Sequence, residues 1–455
     1  MRDGEPHLRA DVLVVGAGPG GLAAAKAAAL AGASVTVVDA APAVGGQIWR
    51  ATAGVPAAPA LALQAALRDN GVRMLTSTRV AWVLPGQVLL LDGPDGSVCL
   101  RWRRLVIATG ARERLWPFPG WTLPGVFGAG GLQALTKGGW PVSGRRVVLA
   151  GTGPLLLAAA ATLRAAEASV LAVCEEAGGA VLARFAPALL AHPAKARQAL
   201  GLAAALVGVR VRAGWRLREA QGEGRLQRVV LERVAGEPRP QASDDEALVL
   251  ECDMLGVGWG LCPQTELAQS LGCALAPRFG APAIEVDADQ RTTVPEVFAV
   301  GECTGVAGAQ AAVLAGDIAG RAAAGTPPVA RRGERRALAR ERRFAAAVAA
   351  AFAPPADWAV RVRDDTLVCR CEDVRWGAIR VHPDLRAAKL ATRCGMGHCQ
   401  GRLCHDALAA MTGAERLPNR PPLAPVDLGA LLAIGEVDGV GPDDVPPTPS
   451  QEYAR

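Results

Sequence analysis

The sequence predicts an α/β protein built from two Rossmann-like dinucleotide-binding domains, one inserted into the other, with a small α-rich cysteine domain at the carboxyl end. Three observations predict it. A strand–glycine turn–helix–strand unit opens the chain at 10–40, a second unit of the same plan occupies 144–178, and five of the eleven cysteines fall between 369 and 404. A chain of 455 residues, 51% hydrophobic and 20% charged, is globular and long enough for two to four domains.

The first unit reads ADVLVVGAGPGGLAAAKAAALAGASVTVVDA. Val12 to Val15 form a buried parallel strand, Ala23 to Leu30 a helix, and VTVVD the next strand, with Asp39 at its end. Gly16, Gly18 and Gly21, with Pro19 between them, make the pattern G-x-G-x-x-G. Gly16 permits the tight turn, Gly18 lets a pyrophosphate approach the backbone, and Gly21 lets helix and strand pack closely. Asp39 lies where a ribose-binding carboxylate is wanted. The apolar run from Asp11 to Val38 imitates a membrane span in length, but its glycine spacing and Lys26 point to the nucleotide fold instead.

Three further segments complete this unit. VGGQIWR (44–50) carries Gly46 and Gln47, LVIATGARE (105–113) is a strand ending in Ala108-Thr109-Gly110, and VPEVFAVGECTGVAGAQAAVLAGDIAG (294–320) is a strand, a Gly301-Glu302 turn and a small-residue helix. Together they resemble the FAD-binding parts of the two-dinucleotide-domain flavoproteins, which include the pyridine-nucleotide disulfide reductases. The resemblance implies FAD held by these segments. In that family the late strand ends in Gly-Asp, whose carboxylate binds the ribityl chain, and the following helix aims its positive end at the isoalloxazine. Here Glu302 stands in that place with a longer reach.

The second unit, GRRVVLAGTGPLLLAAAATLRAAEASVLAVCEEAG, keeps Gly151 and Gly153 but has Leu156 as its third position, and Glu175 ends its next strand. A leucine there predicts a helix pushed off the strand and an altered phosphate pocket. Three readings stay open: NAD(P), with Glu175 favouring NAD through a free 2′-hydroxyl; another adenine nucleotide; or an architecture that binds nothing. The chain has no C-x-x-C, so the thiol-pair chemistry of a disulfide reductase is disfavoured. The scattered cysteines read as small buried hydrophobes, with Cys303 beside the flavin turn as the one redox alternative. PFPGWTLPGVFGAGGLQALTK (117–137) predicts a rigid loop in which Trp121 either covers a cofactor or simply packs.

The net charge of +6 is concentrated in RRGERRALARERR (331–343), whose seven Arg and two Glu contribute +5. Without a reading motif or interleaved aromatics this is no nucleic-acid patch. It predicts a solvated helical connector laced with Glu–Arg pairs. The odd, scattered cysteine count does not make a secreted disulfide framework. MRDGEPHLRA holds no apolar stretch that would make a signal peptide, so a bacterial cytoplasmic location is expected, with peripheral association at the inner membrane face as the alternative.

LVCRCEDV supplies Cys369 and Cys371, whose alternate spacing directs both side chains to one side. TRCGMGHCQGRLC (392–404) adds Cys394, Cys399 and Cys404. Four thiolates are what a [2Fe–2S] cluster requires, and C-x-C is uncommon among zinc knuckles. His398 and His405 flank cysteines, but neighbours in sequence rarely reach one metal. The two segments resemble the [2Fe–2S] domain related to bacterioferritin-associated ferredoxin, in the form fused to the flavoprotein subunit of opine oxidases, D-hydroxyproline dehydrogenases and cyanide-forming glycine dehydrogenases. A related module ends anaerobic glycerol-3-phosphate dehydrogenase. The resemblance implies Cys369, Cys371, Cys399 and Cys404 as metal ligands and Cys394 as the spare, with a Cys394–Cys399 pairing as the alternative. The PFPGWTLPGV run belongs to the same resemblance.

The expected domains are 8–115 with 250–327 for FAD, 116–249 for the inserted NAD(P)-like domain, 328–365 for the connector, 366–415 for the [2Fe–2S] domain and 416–455 for a proline-rich tail wrapped over a domain or partner. The resemblance implies a subunit of a heteromeric dehydrogenase acting on the C–N bond of an amino acid or opine. Its partners would be an amino-acid-oxidase-like catalytic subunit, a small ferredoxin-like subunit, and a quinone or other electron acceptor. No general base can be assigned in this chain. The alternatives are an NAD(P)H-dependent reductase feeding a partner protein, and a non-catalytic redox-sensing or assembly subunit.

Overall fold

The computed structural model describes residues 8–234 (without 53 and 56), 247–326, 332–414 and 420–432. The start of the expected connector (328–331) and most of the expected tail (416–419 and 433–455) lie outside the described residues, as do 327 and 415 beside them. The chain divides into two compact units. One takes its described residues from 8–112, 262–345 and 420–432, the other from 113–261 and 346–414.

The first unit is organised by a seven-stranded sheet. Its central strand, Leu8–Val15, runs parallel to Val35–Val38 on one side and to Gly96–Ile107 on the other. The late strand Val297–Ala299 joins Gly96–Ile107, also in parallel. Register then does the positioning: Val15 lies opposite both Val38 and Ile107, and Ala299 lies opposite Ile107. Four strands therefore end level, and the segments that leave them emerge together at one edge of the sheet. Those are the glycine turn, Asp39, the Ala108–Gly110 segment and the Val300–Glu302 turn. Adjacent strands that end together and lead away to different sides create the crevice in which doubly wound sheets hold ligands.

Two helices of small residues, Pro19–Leu30 and Ala309–Ala323, cover this sheet and lie almost backbone to backbone. A Cβ at Gly320 would fall 2.1 Å from the Ala24 carbonyl oxygen, so the alanine and glycine content there is a packing requirement. The connector forms the helix Arg332–Ala351. It is not the solvated rod expected from its charge: Leu338, Glu341 and Ala345 are buried. Ion pairs also tie it to other elements, Arg335 to Asp289 at 2.5 Å and Glu334 to Arg321 at 2.8 Å. The described part of the tail packs on the first unit. The Leu423 amide donates to the Ala81 carbonyl at 2.7 Å, and Ala430 is buried with Leu84, Val88 and Leu90.

The second unit holds a five-stranded parallel sheet in which Arg146–Thr152 lies between Ser169–Glu175 and Met254–Trp259. The return to the first unit thus comes at 262, not at 250, because Met254–Trp259 pairs along its whole length with Arg146–Thr152. Leu156 does not displace its helix. It is 1% exposed in the core, and its Cδ2 would sit 3.7 Å from a Cβ at Gly258, so the missing side chain on the neighbouring strand makes the room. The cysteine segments form a short hairpin, Leu367–Cys369 with Val374–Arg375, and three helices, Trp376–Ile379, Leu385–Thr392 and His405–Thr412.

Candidate cofactor and metal sites

At the sheet edge of the first unit the glycine turn takes the shape its sequence requires. Gly16 has φ +111°, and a Cβ there would lie 2.3 Å from the Ala108 carbonyl oxygen. Gly18 approaches Gly46, whose Cβ, if present, would lie 3.0 Å from Gly18 Cα. Two backbone loops free of side chains thus face each other at the helix start, a cradle that any Cβ would begin to fill and that suits a pyrophosphate. Pro19 opens the helix without wasting a donor. The Asp39 carboxylate accepts the Ala17 amide at 2.5 Å and the Ala41 amide at 2.7 Å. It is pinned beside the turn, and a carboxylate keeps further acceptor positions for a ribose. Gln47 is exposed and accepts from Arg50 at 2.9 Å.

Thr109 and Gly110 are tied to Gln264: the Thr109 hydroxyl donates to its carbonyl at 2.7 Å, and its amide donates to the Gly110 carbonyl at 3.0 Å. Gly301 (φ +75°) and Glu302 begin a single 3-10 turn ahead of the late helix. Burial raises the Glu302 acid above the usual carboxylate range, opposed by the Gly308 amide. Both residues line a small cleft ahead of the late helix. Cys303 is fully buried, its thiol donates to the Val300 carbonyl at 3.1 Å, and burial pushes it up to about 11, which makes it an inert filler. These residues fit FAD.

In the second unit the glycine turn is filled by its own chain. The Glu175 carboxylate, expected at a ribose, accepts the Thr152 hydroxyl at 2.6 Å, the Gly153 amide at 2.8 Å and the Ala177 amide at 2.8 Å. Phe352 Cβ is the atom nearest the open face of Gly153, 4.0 Å from where a Cβ would stand, and its ring packs edge-on to Phe185 at 5.5 Å. At the end of the same strand Glu176, unmarked in the sequence, accepts the Trp259 indole N–H at 2.9 Å and faces Arg361 at 3.7 Å. Neither Phe352 nor Arg361 belongs to a nucleotide motif, so pattern reading had no handle on them.

Trp121 packs. It is buried with Phe118 and Val126, and its indole N–H donates to the Leu367 carbonyl at 2.7 Å, two residues before Cys369. Trp121→Phe leaves that carbonyl unsatisfied, and the expected result is a loss of about 1–2 kcal/mol in denaturant unfolding.

The cysteines gather in two groups. Cys369, Cys394 and Cys404 are buried, with sulfurs within 4.8 Å of one another. Cys371 and Cys399, exposed and half-buried, lie near each other. The alternate spacing of Cys369 and Cys371 therefore does not send them to one side. The first ends a strand and points into the core, and the second lies in the turn after it. Cys394, expected as the spare, stands inside the buried group. Hydrogen bonds from Cys394 and then Cys404 hold Cys369 far below the usual thiol range, and the same bonds push Cys394 up to about 12 and Cys404 higher still. Three thiols this close oppose one another's ionisation, the condition a cation relieves. The Gly395 amide donates to Cys369 Sγ at 3.5 Å. His405 is wedged between glycines: a Cβ at Gly395 would lie 2.2 Å from its Nε2, and one at Gly401 2.3 Å from its Cε1. His398 is exposed. A trio and a pair of sulfurs, with amides aimed at one of them, fit an iron–sulfur centre.

Residues 10–316 match the model of the pyridine nucleotide-disulphide oxidoreductase family, a domain that implies FAD. The opine oxidase A-subunit of Rhizobium meliloti is 33% identical, over 94% of this chain and 99% of that protein. Hydrogen cyanide synthase subunit HcnB of Pseudomonas aeruginosa is 32% identical, over 93% and 98%. Among solved structures, L-proline dehydrogenase from P. horikoshii shares the fold with a TM-score of 0.66 at 19% identity, over 93% of this chain and 79% of that one. Thioredoxin reductase of T. acidophilum gives 0.53 at 20%, over 70% and 98%. With its two nucleotide folds in place and relatives matched nearly end to end, the chain belongs to the pyridine nucleotide-disulphide oxidoreductase family, among the flavoprotein subunits related to that of opine oxidase.

Proposed function

We propose that this chain is the FAD- and [2Fe–2S]-containing electron-transfer subunit of a heteromeric dehydrogenase that oxidises the C–N bond of an amino acid or opine. The observation that carries the reading is the gathering of five sulfurs as a buried trio and a neighbouring pair in a chain otherwise built to hold a flavin dinucleotide. When bound, FAD supplies two-electron chemistry and the cluster one-electron transfer. The glycine turn and Asp39 hold the dinucleotide at the sheet edge, and Glu302 reaches toward its ribityl chain. Cys369 with Cys404 would hold one iron and Cys371 with Cys399 the other, while Cys394 lies beside the first pair. The substrate pocket would belong to an amino-acid-oxidase-like partner. A small ferredoxin-like protein, together with a quinone or other acceptor, would complete the path. No helix among the described residues is long and apolar enough to cross a membrane.

Glu175, which accepts three bonds from its own chain where Asp39 accepts two, and Phe352 beside Gly153 weigh against the NAD(P)H-dependent reductase. The expected result is that neither NADH nor NADPH bleaches the flavin anaerobically, and that an amino acid or opine does so once the partner subunit is added. Bleaching by either nucleotide within seconds would replace the proposal with the reductase reading.

A further inference from the structure

The cleft ahead of the late helix holds positive charge that its own residues do not neutralise. Arg342, from the connector helix, lines it together with Glu302, Gly308, Ala312 and Leu338. Its Nη2 donates to Gln290 Oε1 at 3.0 Å, and Gln290 is itself fully buried. Arg278 approaches from another side: its Nη1 donates to the Thr304 carbonyl at 3.1 Å, and its stem lies against Gly305. Among the described residues neither guanidinium pairs with a carboxylate; the bonds each makes are to neutral oxygens. Burial, and after it the charge of Arg278, lowers Arg342 to about 10, so it stays protonated at neutral pH. Glu302 is the carboxyl group lining the cleft, and its burial disfavours the charged form. The amino end of a fifteen-residue helix adds its own positive field. Half-buried cations without counter-charge are costly, and they persist where a ligand supplies the anion.

We infer that Arg342 is a positioning residue for the flavin, placing a fixed positive charge at the end of the cleft where the ring and ribityl chain lie and favouring the reduced, more negative ring. The inference rests on the flavin reading above and deepens it, assigning to the basic connector a share in setting the potential of the cofactor. Charge near the flavin's pyrimidine edge is one of the levers a protein has over its electronics.

The test is redox titration of the purified chain beside FAD binding. Arg342→Gln and Arg342→Met, the second keeping an apolar stem, should still take up FAD. Both should lower the equilibrium constant for flavin reduction about tenfold, equivalent to about 30 mV in a two-electron couple. Arg342→Lys should restore most of the shift. Arg336→Gln, an exposed position on the same helix, should change neither quantity. An unchanged potential in both charge-removing variants overturns the inference while leaving the flavin reading intact. So does an unchanged potential with weakened FAD binding, which would put Arg342 at the phosphates. A parent chain that neither contains nor takes up FAD overturns the flavin reading, and this inference with it.

Discussion

Iron and acid-labile sulfide should vanish from the anaerobically purified chain when Cys369 or Cys404 is replaced by serine, and both should persist in Cys394→Ser. The expectation follows from the way five sulfurs divide. A [2Fe–2S] centre takes two thiolates at each iron, about two irons to four cysteines. Cys371 and Cys399 lie near each other and would make one end. The other end must come from the buried trio, within which Cys369 is the sulfur that receives the Gly395 amide. Cys369 is therefore needed in any arrangement, and its loss should take iron to background. Cys404 and Cys394 compete for the remaining position. The sequence resemblance favours Cys404, which also starts the helix His405–Thr412. Iron lost from Cys394→Ser and kept in Cys404→Ser would reverse that choice without disturbing the cluster. Zinc recovered in place of iron would remove the cluster, and with it the reason for coupling this module to a flavin.

The two sites were unequally legible in the sequence. Gly16, Gly18, Gly21 and Asp39 could be read because the strand, turn, helix and strand that place them are contiguous, so register follows from local pattern. Gly301 and Glu302 lie far along the chain, yet a strand followed by a small-residue helix marked them. Long-range pairing was not legible. Nothing in Met254–Trp259 distinguishes a strand of one sheet from a strand of the other, so the boundary near 250 fell short of 262. Leu156 looked disruptive because Gly258, which accommodates it, lies on a strand from a distant part of the chain. Arg342 did leave a trace: it follows Leu338 by four positions, on the buried stripe of its helix, where an arginine is out of place unless something meets it. Cys394 was set aside on the resemblance, which does not say which side of a loop its sulfur takes.

The glycines at the first turn separate folding from cofactor binding, and Gly21→Ala should remove both. A Cβ at Gly21 would stand 1.8 Å from the Gly16 carbonyl oxygen and 3.2 Å from Ala108 Cβ. Those atoms belong to the turn and to the strand end beneath it, so nothing flexible can yield and the whole helix Pro19–Leu30 must lift. That helix packs through Gly316 and Gly320 against its small-residue neighbour, which gives it no room to move. The expected loss is about 3 kcal/mol of stability, the upper range for overpacking a close contact, together with the yellow colour. Gly18→Ala is the contrast. Gly18 has φ −76° and ψ −177°, extended backbone open to any residue, and the nearest atom to its Cβ would be Gly46 Cα at 3.9 Å. The alanine methyl disturbs no protein atom and occupies the space a pyrophosphate would need, so FAD affinity should fall while the apoprotein melts as before. Iron content should survive in both variants, since the cysteines belong to the other unit. Flavin retained in Gly18→Ala at parental affinity would place the pyrophosphate elsewhere, and the role given to the cradle between Gly18 and Gly46 would fail.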